Sequence, residues 1–302
     1  VTLREIRPAS ICRSWLFVEG ANESALRAAA SCGADVLIQE LEDFTTPAQR
    51  PLARALAPGI FAAWRAAGAV VAVRVNPLAQ DGMDDLAAVM RGKPDIVALP
   101  KVSTPQDIVD LERAVTRFER EYDIPDGATA LMPNIESARG LVATREIAQA
   151  SRRVTACLMA SEDLAADLGV ERTREGIELT YCRQRFFVEC VAAGVVAVDC
   201  PYTFSDADGA ARDAKAARAM GYVAKSLVDA GHAGRINEAI GPGDQELKRA
   251  AGLVAAFEDA RQRGLGRASF EGALVEIPAY TTAKRLIARG EAIQSFAATR
   301  SR

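Results

Sequence analysis

No lysine- or arginine-dense tract runs through this sequence, and its formal net charge is −3, so the charge balance gives no reason to expect nucleic acid. No apolar run reaches membrane-spanning length, because Gly, Arg or Asp interrupts the longest candidates. The six cysteines (Cys12, Cys32, Cys157, Cys182, Cys190 and Cys200) include no CxxC pair. Several stand in apolar or helical context, where a free thiol behaves as a small hydrophobe. With no secretory signal ahead of them, the expected setting is a reducing cytoplasm and a soluble intracellular protein. Aromatic residues make up only 6% while alanine is abundant, which favours close-packed helices over an all-β core. The one histidine, His232, is read as a surface or capping residue and is given no role.

What is present is a rhythm. Short, nearly continuous apolar runs occur at Trp15–Val18, Val36–Ile38, Val70–Val75, Ile96–Leu99, Ala128–Met132, Thr155–Met159, Val195–Val198 and Tyr222–Val228. Such runs suit parallel strands buried on both faces. Between them lie helical candidates at Glu23–Cys32, Pro47–Ala67, Pro105–Tyr122, Ala138–Ala150, Thr173–Ala193 and Ala207–Met220. Gly33, Gly68, Gly194 and Gly221 fall just past helix ends, where a left-handed cap suits glycine. Repeated strand–helix units predict an α/β fold, a closed (β/α)8 TIM barrel over residues 10–263. An open doubly wound sheet is the competing architecture, but no GxGxxG follows the first run. Gly241-Pro242-Gly243 breaks the chain before a helix at Asp244–Arg263, then Gly264–Gly272 reads as a linker and Tyr280–Phe296 as a terminal helix. Residues 264–302 are thus expected to form a C-terminal helical extension, acting as a lid over the barrel mouth or as a subunit contact.

Catalytic groups of such barrels gather at the C-terminal ends of the strands. Those positions carry Glu40, Glu42 and Asp43, then Arg74 and Asn76, Lys101, Glu136, Glu162 and Asp163, Asp199, and finally Lys225 and Asp229. The set is acid-rich with a few cations, which suits a metal ion and an anionic substrate. Glu136 and Asp163 come from the ends of successive runs, and magnesium takes one or two protein carboxylates while water and substrate oxygens fill its other positions. Each acid also has a structural reading as the cap of the helix that follows. Asp43 has the same alternative, and Lys101 that of a surface lysine. An arginine inside Val70–Val75 would be buried and would need a carboxylate or a bound anion, and its planar fork suits a substrate carboxylate.

The chain resembles the citrate lyase beta-subunit-like family, within the aldolase superfamily that also holds malyl-CoA and citramalyl-CoA lyases. The segments that carry the resemblance are Arg13-Ser14-Trp15-Leu16-Phe17-Val18, Leu41-Glu42-Asp43, Val73-Arg74-Val75-Asn76-Pro77 and Leu99-Pro100-Lys101-Val102, followed by Ile135-Glu136-Ser137-Ala138-Arg139-Gly140 and Glu162–Gly169. It runs from about residue 10 to the C-terminal helix. The resemblance implies a TIM barrel that binds Mg2+ through Glu136 and Asp163. Arg74 would grip the carboxylate of a 2-oxo acid or of a 3-hydroxyacyl thioester. Glu42 and Asp43 would hold metal-bound waters and Arg74, and Arg13 would face the same mouth and reach a coenzyme A phosphate or the substrate. The family's base is an acid in a C-terminal V-D-x-P element, often supplied across a subunit interface. That element reads Val275-Glu276-Ile277-Pro278 here, so Glu276 would take the role.

The activity this implies is magnesium-dependent carbon–carbon cleavage of a citryl-, malyl- or citramalyl-CoA-like thioester into a 2-oxo acid and an acyl-CoA, by a homo-oligomer for which trimers are the common form. Departures from the family pattern lie around the site. Glu19 stands where proline is usual, Gln39-Glu40 replaces Leu-Asp before Leu41-Glu42-Asp43, Ala160-Ser161 replaces Gly-Ala, and Asp229-Ala230-Gly231-His232 replaces His-Pro-x-Gln. They keep open a different acyl-CoA, a malyl-CoA-like thioesterase or a 2-oxo-acid aldolase that needs no coenzyme A, and a non-enzyme reading, a binding or assembly subunit of a lyase complex, stands beside these.

Overall fold

The computed structural model describes residues 6–300, which divide into two compact units meeting in sequence at Ile240 and Gly241. In the first, strand and helix alternate as β1 (Ser14–Glu19), α1 (Glu23–Ala29), β2 (Val36–Glu40), α2 (Arg50–Ala66), β3 (Val70–Arg74), α3 (Met83–Val89), β4 (Ile96–Leu99) and α4 (Pro105–Glu121). The series continues through β5 (Ala130–Ile135), α5 (Ala138–Val142), α6 (Thr144–Gln149), β6 (Ala156–Met159), α7 (Ser161–Leu168), α8 (Thr180–Ala193), β7 (Val196–Asp199), α9 (Ala207–Met220), β8 (Ala224–Leu227) and α10 (Ala233–Ile240). All eight strands are parallel, and β1 pairs with both β2 and β8, so the sheet closes into a (β/α)8 barrel. Among the described residues, no helix is long and apolar enough to cross a membrane.

Alternation along each strand sorts the side chains into two cores. Trp15, Phe17, Val36, Ile38, Val70, Ala72, Ile96, Ala98, Met132, Ala156, Leu158, Val198 and Ala224 fill the barrel interior. Their neighbours of opposite parity, such as Leu16, Leu37, Val71, Val97 and Cys157, pack outward against the helices. The same parity fixes what happens at the mouth. Two residues beyond Ile38, Ala72 and Met132 stand Glu40, Arg74 and Asn134, and two beyond Asn134 stands Glu136, so polar groups crown the apolar interior.

Between barrel and helices lies a second set of charges. Lys225 Nζ donates to Asp199 and to Asp213, each at 2.6 Å, and Arg183 of α8 pairs with Asp199 at 2.7 Å and Asp213 at 2.8 Å. Their mutual pairing is what lets such charges stay buried. Asp199 and Lys225 therefore do not join the mouth, as their place at strand ends had led us to expect. Val198 and Ala224 face inward, so their neighbours face out.

Strand β5 runs on through Pro133 to Ile135, beyond the Met132 end expected from sequence, with Pro133 opposite Leu99. The helix expected over Ala138–Ala150 is instead α5 and α6, broken at Ala143. Gly140 makes the approach of α5 possible, since a Cβ built there would lie 2.6 Å from the carbonyl oxygen of Val102. Gly140→Ala is expected to cost about 2 kcal/mol, because a rigid backbone atom has to yield. Urea denaturation followed by circular dichroism measures this directly.

The second unit holds α11 (Asp244–Gln262), a hairpin of β9 (Ala268–Phe270) and β10 (Ala273–Val275), and α12 (Ile277–Arg300). Phe257, Ala260, Ala268 and Val275 form its core, and Phe257 stacks on Tyr280 with centroids 4.7 Å apart. Helix α11 packs along α12, which places the division at Gly241 rather than at the 263/264 boundary expected from sequence. A hairpin occupies much of the stretch read as a linker.

Candidate active site

Arg74 is the centre of the mouth. It ends β3, is 5% exposed, and faces three carboxylates. Nε donates to Glu40 Oε1 at 2.9 Å, Nη2 lies 3.3 Å from Glu42 Oε2, and Nη1 lies 3.6 Å from Glu136 Oε1. Its guanidinium also sits over the rings of Phe17 and Phe44, 5.1 and 5.8 Å from their centroids. Glu40 is fully buried and directly opposite Arg74 in the β2–β3 register. It accepts the backbone N–H groups of Glu42 and Phe44 at 2.7 and 2.6 Å, so it fixes the turn after β2 and the arginine together. The sequence reading placed Glu40 on the rim but gave it no task. The signal was its inward parity with Val36 and Ile38.

Glu42 is buried between Arg74 and Lys101, whose ammonium donates to it, while the more exposed Asp43 lies 3.5 Å from Lys101 Nζ. Burial raises the Glu42 carboxyl, against the pull of Arg74 and Lys101. Glu136 follows β5 and is 3% exposed, yet neither of its oxygens has a hydrogen-bond partner among the described residues. Burial pushes its carboxyl up to about 8, with Arg74 opposing and the charges of Asp163 and Glu42 adding. Half-buried Asp163 stands in the first turn of α7, on the wall of a cavity of about 480 Å³ that Arg74, Phe17, Phe44 and Asp43 also line. Glu136 lies against Arg74 rather than on that wall.

Four carboxylates (Glu40, Glu42, Asp43 and Glu136) thus face two cations, Arg74 and Lys101, and Asp163 acts on Glu136. A buried carboxylate without a donor is costly. One that can bind a hard cation with a neighbouring acid has a reason to be there. Among the described residues no group of three or more His, Cys, Asp or Glu is arranged as a metal cage. The donor set fits magnesium, which needs only one or two protein carboxylates, and does not fit a closed structural zinc site.

Two other expectations are placed differently. Arg13 precedes β1, at the N-terminal end of the strands, where Nε and Nη2 donate to Asp35 at 2.9 and 3.1 Å. It cannot reach the mouth, and this corrects its assignment to substrate. His232 is not a surface residue. It is 2% exposed, with Nε2 3.4 Å from the Ser205 carbonyl. Glu276 is exposed between β10 and α12 of the second unit.

Known proteins share this sequence along most of its length. It is 33% identical to the beta subunit of citrate lyase from Escherichia coli (strain K12), over 92% of this chain and 93% of that protein. It is 32% identical to the (3S)-malyl-CoA thioesterase of Cereibacter sphaeroides (strain ATCC 17025 / ATH 2.4.3), over 95% and 97% of the two chains. Among solved structures, the citrate lyase beta subunit of M. tuberculosis complexed with oxaloacetate and magnesium matches with a TM-score of 0.61 at 26% identity, covering 76% of this chain and 96% of that one. The family profile itself matches residues 13–230. With a match that begins at the foot of β1 and ends in the turn after β8, the chain belongs to the HpcH/HpaI aldolase/citrate lyase family.

Proposed function

We propose that this protein is a magnesium-dependent carbon–carbon lyase that cleaves a β-hydroxyacyl-CoA of the citryl, malyl or citramalyl type into a 2-oxo acid and an acyl-CoA. The observation that carries the reading is Glu136, buried, without a hydrogen-bond donor on either oxygen, beside Arg74 and within the field of Asp163. Glu136 and Asp163 hold the magnesium ion. When bound, that ion supplies positive charge to the oxygens of the 2-oxo-acid half of the substrate as charge develops there.

The chain's own residues do the rest. Arg74 binds the carboxylate of the 2-oxo-acid half. Glu40 holds its Nε, so the fork is aimed before substrate arrives. Phe17 and Phe44 offer ring faces to the guanidinium, which hold its plane in place. Cleavage breaks the bond between the carbinol carbon and the thioester's α-carbon. The electron pair passes to the thioester as an enolate, and the hydroxyl proton leaves to solvent water as the 2-oxo group forms. On the strength of the Val275-Glu276-Ile277-Pro278 element alone, Glu276 is assigned the delivery of a proton to that α-carbon, which turns the enolate into the acyl-CoA. The 2-oxo acid and magnesium named for the M. tuberculosis protein, and the thioester named for the C. sphaeroides relative, support the two halves of this substrate.

The test is turnover of malyl-, citramalyl- and citryl-CoA with and without magnesium, with products identified by mass. A 2-oxo acid plus an acyl-CoA, formed only with metal, is the expected result. Free coenzyme A with an intact hydroxy acid would instead make the protein a thioesterase, the reading favoured by the C. sphaeroides relative. Absence of turnover across the panel overturns both.

A further inference from the structure

Lys101 has no part in the reading above, yet the fold treats it unusually. It follows β4 and Pro100 with φ at +55°, in the left-handed region that L-residues rarely occupy. Lys93, Asp123 and Glu271 are the other non-glycine residues with positive φ among those described. Lys93 and Asp123 end helical segments and Glu271 sits in the β9–β10 turn, where chain reversal explains the conformation. At the mouth a glycine would adopt the same backbone without strain.

What the lysine adds is its ammonium. Nζ donates to Glu42 and lies 3.5 Å from Asp43, while the side chain stays 48% exposed. Glu42 is only 4% exposed, and its other oxygen faces Arg74 Nη2 at 3.3 Å and has no hydrogen-bond donor. A rim lysine is therefore linked through one buried carboxylate to the central arginine. A lysine serving only as surface charge would need neither the strained backbone nor a buried partner.

We propose that Lys101 is a positioning residue: it fastens one oxygen of Glu42 so that the other stays on Arg74, and Arg74 is thereby held between Glu40, Glu42 and Glu136 in the orientation that receives a 2-oxo acid. Glu40 fixes the guanidinium at Nε, and the Lys101–Glu42 pair fixes it at Nη2. Two points of attachment stop the planar fork from rotating, which one cannot do. The proposal rests on the preceding reading for the identity of the ligand, but not for the geometry it predicts.

The test uses the full chain with Lys101→Met, Lys101→Arg and Lys101→Gly. Its first readout needs no ligand: the Arg74 Nε–H signal in a nitrogen-15 NMR spectrum, identified by its loss in Arg74→Lys. The second is calorimetric binding of oxaloacetate with magnesium present. Lys101→Met is expected to shift the Arg74 signal and weaken oxaloacetate about tenfold, the scale of a lost charged hydrogen bond. Lys101→Arg should recover affinity to within roughly threefold, since it keeps a charged donor. Lys101→Gly should bind as weakly as Lys101→Met, yet melt no lower than Lys101→Met, because it loses the same charge but sheds the backbone strain.

An unmoved Arg74 signal in Lys101→Met overturns the proposal. So does a loss of binding that simply tracks loss of melting temperature across the three variants, which would make Lys101 an ordinary stabilising residue. A wild type that binds no oxaloacetate with magnesium overturns the reading of the site instead, and the Arg74 signal then decides on Lys101 by itself.

Discussion

Glu136→Gln is expected to abolish magnesium-dependent binding of oxaloacetate and to lower turnover at least about a thousandfold. The substitution keeps the shape of the side chain and removes its charge. An amide oxygen is a poor substitute for a carboxylate toward a hard dication, and Asp163 is left as the only acid of the pair. Retained tight binding in this variant would move the metal away from Glu136.

The same substitution has a second consequence, on stability, that needs no substrate. Burial keeps the Glu136 carboxyl protonated up to about 8, whereas in the unfolded chain it ionises near its ordinary value of 4.5. Between those values the folded metal-free protein binds more protons than the unfolded chain. Its stability therefore falls as pH rises through that window, by up to about 1.4 kcal/mol per pH unit from this group. Glu136→Gln removes this contribution. In excess chelator the variant should be more stable than the wild type at about pH 7.5, with the advantage shrinking toward about pH 5. Urea denaturation at the two pH values measures it, and magnesium should narrow the gap by stabilising the wild type alone. An equal pH slope in both proteins would mean that Glu136 is not the strained acid of the mouth.

The barrel was legible because its strands are nearly continuous apolar runs spaced by helices with glycine ends, a pattern dictated by burial on both faces. The mouth was legible only in part. Residue number along a strand says that a group lies near its end, and parity says which side of the sheet it faces. Glu40 shares parity with Ile38 and faces Arg74, while Asp199 and Lys225 have the opposite parity to Val198 and Ala224 and face the helices. Parity was readable in each case, but only once the interior face of each strand was known. Arg13 was misplaced for a different reason: it precedes its strand, so it belongs to the other end of the barrel, and Asp35 holds it there. Pro133 concealed the last residues of β5, since proline argues against a central strand. The hairpin of the second unit escaped because three-residue strands are too short to show alternation.

Arg74→Lys is expected to lower kcat/KM about a thousandfold, mostly through weaker capture of the 2-oxo acid, with the fold intact. Lysine keeps one positive charge among Glu40, Glu42 and Glu136, so none of these buried acids is wholly abandoned. It loses the fork. A single ammonium cannot hold Glu40 through one nitrogen, lean on Glu42 through another and still offer two parallel donors to a substrate carboxylate. It also loses the flat face that lies over Phe17 and Phe44. Arg74→Met is the informative contrast. With no charge at the centre, Glu40 and Glu42 become buried acids lacking their main cation, and stability should fall by about 3 to 5 kcal/mol. Calorimetry with oxaloacetate and magnesium, set beside urea denaturation of both variants, separates the two roles. Lys is expected to bind poorly and fold well, and Met to do neither. If Lys bound oxaloacetate as the wild type does, the fork would have no part in recognition, and Arg74 would be the counter-ion that makes an acidic mouth foldable.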